Sequence, residues 1–274
     1  MSRFTLSGFA DEIDDSLDKQ MDTLDTLGIR YIEMRGVEGK NLSDYTPDAA
    51  KEIKKRLDAR GFRLSAVGSP IGKIGIRDDF APHFDKFKRV VEIAGIMETG
   101  YIRMFSFFIP KGDDPEIYKD EVLERWSRFA DYVKGSGIRL LHENEKGIYG
   151  DTAERCRNIL NACDPAVVRG IFDPANFVQC GVETKAAFDL LKEDIVYMHI
   201  KDALAENGRV VPSGEGDGNL AWILGQLADR GYDGFLSLEP HLETGDIAVC
   251  GADKFKLAHT ALINILKTLD AEIA

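Results

Sequence analysis

The chain lacks the features that mark several large classes of protein. It carries four cysteines in 274 residues, Cys156, Cys163, Cys180 and Cys250, with no C-x-x-C pair among them. Without an export signal these are expected as reduced thiols rather than as a disulfide framework. The opening Met-Ser-Arg-Phe-Thr-Leu-Ser-Gly-Phe has no signal-peptide apolar region, and no stretch approaches the length of a membrane span. A cytoplasmic protein with no membrane partner is expected. Positive charge is in deficit, 35 Lys and Arg against 47 Asp and Glu, for a net charge of −12. That balance argues against a nucleic-acid partner, although an anionic small molecule stays open if basic residues gather in a pocket. No G-x-G-x-x-G follows the first apolar run, which leads into Gly8-Phe-Ala-Asp-Glu-Ile, so a doubly wound nucleotide-binding sheet is disfavoured. The one Gly-rich stretch, Gly214-Glu-Gly-Asp-Gly218, lacks a following Lys-Ser/Thr and reads as a flexible lip over a pocket. No Ser/Pro-rich linker or low-complexity tract divides the chain, and a single domain over 1–274 is expected.

What is present is an alternation. Strand-like runs are predicted at Phe4–Gly8, Tyr31–Met34, Arg63–Val67, Tyr101–Phe105, Arg139–His142, Val168–Phe172, Val196–Ile200 and Gly234–Leu238. Between them, apolar residues recur at three- and four-residue spacing, as in Ile53 and Leu57 or Leu220, Ile223, Leu224 and Leu227, and predict helices. Gly28, Gly61, Gly137 and Gly231 each stand just past a helix and just before a strand, where a left-handed cap is wanted. Eight βα units in one chain of this length predict an α/β fold, a single (β/α)8 TIM barrel.

Four of these strands end on a polar group: Glu143, Asp173, His199 and Glu239. Polar side chains at the C-terminal ends of several strands are how such a barrel builds an active site. One imidazole with three carboxylates is also a divalent-metal ligand set. A single acidic residue at a strand end is ordinarily a helix cap or a solvated loop residue, but that explanation must hold four times here. Alternation along strands places Glu143 with Glu145, His199 with Lys201, and Ser237 with Glu239 and His241, and turns His142 toward the helices. Glu33 is expected in the pocket with Arg35 on its face, whereas Arg103 is left unassigned. His83 and His259 are expected as surface or packing residues.

The run Leu141-His-Glu143-Asn144-Glu-Lys-Gly resembles strand five of the xylose-isomerase-like superfamily of sugar and sugar-phosphate isomerases and epimerases. Phe172-Asp173-Pro-Ala-Asn176 resembles its strand six, Met198-His199-Ile-Lys201-Asp202 its strand seven, and Leu238-Glu239 its strand eight. Ser7-Gly-Phe-Ala-Asp-Glu12 and Tyr31-Ile-Glu33-Met-Arg35 fit the same order, so the likeness spans essentially the whole chain. It implies one divalent ion, Mn²⁺, Mg²⁺, Co²⁺ or Zn²⁺, on Glu143, Asp173, His199 and Glu239. It further implies Glu143 and Glu239 as an acid/base pair working through an enediolate. Asn176 stands where several sugar epimerases have a histidine that touches substrate, and Glu145 where many members have histidine, two departures from the family pattern. Asn176, Lys201, Glu33 and His241 are expected to meet substrate.

The resulting expectation is a metal-dependent isomerase or epimerase of a sugar, ketose or sugar phosphate. A dehydratase of a keto-inositol or dehydroshikimate type would share the ligands and the first step. A non-catalytic sugar-binding barrel and a nuclease are the rivals outside that chemistry. The five histidines and the acidic balance disfavour the multi-zinc nuclease branch. Lys73 and Arg77 lie in a loop, Ser69–Phe80, expected to help choose the substrate. Barrels of this group often form dimers or tetramers, and a homo-oligomer is left open.

Overall fold

A computed structural model describes residues 2–242 and 250–274. Eight parallel strands appear in chain order: β1 Ser2–Gly8, β2 Tyr31–Met34, β3 Arg63–Val67, β4 Tyr101–Met104, β5 Arg139–Glu143, β6 Val168–Phe172, β7 Ile195–Ile200 and β8 Asp233–Leu238. Ladders join β2 to β3 and so on through β8, and β8 pairs back with β1, from Arg3↔Asp233 to Gly8↔Leu238. The expected TIM barrel is formed. Helices α1 Leu17–Thr26, α2 Pro47–Ala59, α3 Phe80–Ile96, α4 Lys119–Val133, α5 Ala153–Ala162, α6 Thr184–Leu191, α7 Leu220–Asp229 and α8 Gly251–Leu266 accompany the strands.

Local sequence explains the boundaries. In α2, the Thr46 side chain accepts from the Ala49 N–H and Pro47 opens the first turn. The four expected cap glycines have φ of +72°, +72°, +83° and +74°, values a side chain would resist. Two features lie beyond the sequence reading. The barrel seam between β1 and β2 carries no ladder among the described residues. Instead a three-residue strand, β9 Ala271–Ile273, pairs with β1 from Ser2↔Ala271 to Phe4↔Ile273.

Inside the barrel, Ala66, Leu141, Ile171 and Tyr197 pack with Tyr101 and Phe235 to form an apolar floor. Two residues further along the same strands come Arg103, Glu143, Asp173, His199 and Ser237, all buried. A step of two residues keeps the face and advances about 6–7 Å, so the polar layer sits directly on the floor. His142 points the other way, as expected, bonding Ser106 Oγ at 3.0 Å and meeting the edge of Trp126.

Two buried imidazoles make the fold sensitive to acid. Burial pushes His142 down to about 3. Burial, with Lys86 and Arg125 nearby, pushes His83 down to about 4, and its Nε2 accepts the Gly72 N–H at 2.7 Å. The unfolded chain protonates these rings near 6.5, so their stabilisation is complete above that value and falls as pH drops toward 4. Urea midpoints should therefore decline between pH 6.5 and 5, and His142→Asn should lessen the decline. An unchanged slope in that variant would contradict the assignment.

Candidate metal centre

Glu143, Asp173, His199 and Glu239, brought in by β5 through β8, each offer an atom within 4.8 Å of the others. His199 Nδ1 stands at their centre, 3.1 Å from Glu143 Oε1, 3.8 Å from Asp173 Oδ2 and 3.9 Å from Glu239 Oε2. All four residues are at least 97% buried. His199 Nδ1 and Glu143 Oε2 have no hydrogen-bond partner among the described residues. Buried polar atoms left without partners are costly. One nitrogen and three carboxylates around a common point fit a divalent ion of the zinc, manganese or magnesium type.

The surrounding sequence locks these side chains in place. Asn144 receives the Asp173 N–H on Oδ1 and donates from Nδ2 to the Asp173 carbonyl, both at 2.9 Å. The end of β5 is thereby clamped to the end of β6. Asp173 Oδ1 in turn caps the short helix Pro174–Gln179 by accepting the Asn176 N–H at 2.9 Å. Asn176 gives its side-chain amide to Glu143 Oε1 at 3.2 Å and to the Asn144 carbonyl at 3.0 Å. The amide is thus shared between the Glu143 carboxylate and the backbone just after it.

Lys201 Nζ lies 2.8 Å from Asp173 Oδ2 and 2.6 Å from Glu239 Oε2. Burial alone would lower its affinity for a proton, but Asp173, Glu239 and Glu143 hold its pKa well above the ordinary lysine value. Glu239 is the reverse case. Burial would raise it, yet Lys201, His199, His241 and Arg35 keep it well below the usual carboxylate range. Glu33 is fully buried and meets His199 Nε2 at 3.1 Å. His241 stands at the rim with 43% of its side chain exposed, bonded to Glu12 at 3.1 Å and 3.8 Å from Glu239 Oε1.

The sequence reading left Arg103 unassigned, while it named Arg35, Lys73 and Arg77 without their partners. Arg103 turns into the barrel, with Nη1 3.3 Å from Glu143 Oε2. Strand alternation could have placed it, because Tyr101 and Arg103 share a face while Ile102 and Met104 pack outward. Arg35 pairs with Asp11 at 2.7 Å and with Glu239 at 3.2 Å. Both guanidinium groups lie 4.8 Å from the centre of the Phe9 ring. Lys73 meets Glu145 at 3.3 Å, and Arg77 points to Asp113 at 2.7 Å.

The Gly-rich stretch differs from expectation as well. It wraps the buried Asp202 carboxylate, which accepts from Gly214 N at 2.9 Å, Gly216 N at 3.1 Å and Gly218 N at 2.9 Å. A Cβ at Gly216 would fall 2.3 Å from Asp202 Oδ1. Close approach to an internal anion, rather than mobility over a pocket, accounts for these glycines.

Comparison with known proteins agrees with this geometry. The chain is 20% identical over 238 residues to an inosose dehydratase of Clostridium perfringens, covering 77% of this chain and 80% of that one. Its fold superposes on a D-tagatose 3-epimerase-like protein with a TM-score of 0.77 at 18% identity, covering 97% and 98% of the two chains. It superposes equally on the IOLI protein crystallised with a zinc atom, with a TM-score of 0.79 at 15% identity and 97% and 99% coverage. The profile of one family matches residues 21–256, and the chain belongs to it: the xylose isomerase-like TIM barrel family.

Proposed function

We propose that this barrel is a metal-dependent enzyme that enolises a small hydroxylated carbonyl compound, acting as an isomerase or epimerase of a ketose-like substrate. The observation that carries the reading is the convergence of Glu143, Asp173, His199 and Glu239 around partnerless buried atoms. A divalent ion held there supplies Lewis acidity, drawing charge from a carbonyl oxygen so that the neighbouring carbon becomes more acidic. The chain's own groups do the proton transfer. One of Glu143 and Glu239 removes the proton beside the carbonyl, and the other returns it from the opposite face. Asn176 and Arg103 fix Glu143, while Lys201 and Arg35 keep Glu239 ionised and ready to accept a proton.

Charge balance favours an uncharged substrate over a phosphorylated one. Arg35, Lys73, Arg103 and Lys201 each already lie within 4.0 Å of a carboxylate of this chain. No cation of this group is left over for a phosphate.

A dehydratase is the second reading, and the similarity to an inosose dehydratase is the observation in its favour. Solvent-deuterium exchange tests both: Mg²⁺-loaded protein is offered free ketoses, ketose phosphates and keto-inositols in D₂O. Exchange beside the carbonyl, lost on adding chelator, is expected with an unphosphorylated compound. An α,β-unsaturated or enolised product would select the dehydratase, and absence of exchange across the panel would refute the enolisation reading.

A further inference from the structure

We infer that Glu33 is a positioning residue for the metal centre, fixing the ring of His199 so that Nδ1 is the atom offered to the ion. The inference rests on the metal-dependent reading above and revises the expectation that Glu33 meets substrate. Glu33 is completely buried on β2, opposite Ala66 in the β2–β3 ladder. Its carboxylate lies 3.1 Å and 3.3 Å from His199 Nε2 through its two oxygens. In this contact the carboxylate accepts and Nε2 donates, which leaves Nδ1 as the nitrogen available to an ion. Nδ1 is the atom facing the carboxylates of Glu143, Asp173 and Glu239, and it has no hydrogen-bond partner among the described residues.

The ring is clamped by its surroundings. Phe9 and Tyr197 meet it edge-on, at centroid distances of 5.1 and 5.9 Å. Glu33 is itself approached by Arg103, whose Nε lies 3.9 Å from its Oε1. An anion behind a ligand histidine also makes the ring a stronger donor, and loss of such a partner typically costs 10- to 100-fold in metal affinity. Nothing in the strand-two pattern Tyr31-Ile-Glu33-Met announces this role, because the partner lies 166 residues away.

The test is calorimetric titration of Zn²⁺ into metal-free wild type, Glu33→Ala and Glu33→Gln, with thermal unfolding of each metal-free form in parallel. Glu33→Ala is expected to weaken binding about 10- to 100-fold. Glu33→Gln should weaken it less, since its amide oxygen still accepts the Nε2 proton but brings no charge. Wild-type affinity in either folded variant would overturn the inference, including the case in which unfolding temperature falls and affinity does not. If Glu33→Ala fails to fold, Glu33→Gln decides alone. Failure of the wild type to bind would instead refute the metal-dependent reading.

Discussion

Replacing Glu239 by Gln is expected to lower the rate of solvent-deuterium exchange by roughly a hundred- to ten-thousand-fold, the range typical of a lost general base or acid. The substitution keeps shape and removes charge. Its single amide oxygen can accept from Lys201 or from Arg35 but not from both, and neither cation then meets a charge there. Because Glu239 is proposed both as ligand and as acid/base group, metal content must be followed beside exchange. Asp173→Asn provides the contrast. It changes a proposed ligand that has no assigned proton-transfer role, so excess metal should restore much of its exchange. Glu239→Gln should stay slow at saturating metal. If excess metal rescues Glu239→Gln as fully as Asp173→Asn, Glu239 is a ligand only and the proton-transfer assignment fails.

The second large effect is expected in stability. Among the described residues, Asp202 is buried without a cationic partner in hydrogen-bond contact, and backbone donors hold its carboxylate. Oδ1 accepts from Ala203 and Gly218, and Oδ2 from Gly214 and Gly216. Asn cannot replace it, since the amide NH₂ would confront two N–H groups where an oxygen accepted both. Hydrogen bonds to a charged group contribute about 1.5–3 kcal/mol each, and stranded donors add their own penalty. Asp202→Asn should therefore destabilise by about 3–5 kcal/mol in urea unfolding. Because Asp202 follows Lys201 directly, the same variant should also disturb the candidate site. A loss below about 0.5 kcal/mol, the range of an ordinary surface substitution, would mean that this carboxylate does not organise the loop.

The barrel itself was readable because each unit repeats the same physical signals. Short apolar runs with alternation gave all eight strands to within a residue or two, and the glycines after the helices gave the turns. Helix starts were less legible. The early turn of α3 at Phe80 carries little signal because Asp79 caps it ahead of the recognisable periodicity. The convergence of Glu143, Asp173, His199 and Glu239 followed from strand ends alone. Their supports did not. The hydrogen bonds that Asn176 makes to Glu143 and Glu33 to His199 join strands remote in sequence, and no local pattern announces them. The Gly-rich stretch was misread for a related reason. Composition reports that a backbone can bend, whereas the carboxylate it bends around is visible only in three dimensions. Strand β9 was missed because Ala-Glu-Ile carries no pattern, and its pairing depends on an edge more than 260 residues earlier.

The unladdered seam has a bearing on how the chain is made. Strands β2 through β7 each find a partner in the next unit, so their pairing can follow synthesis. Strand β1 cannot, because its ladders run to Asp233–Leu238 and Ala271–Ile273. At about 5–20 residues per second, the first strand to leave the ribosome waits roughly ten to fifty seconds for its partner. During that interval it is an exposed edge of the kind that templates wrong pairings. Closure comes last and over the longest loop, where the entropic cost is greatest. The newborn barrel is therefore most vulnerable to aggregation just before its final strands emerge.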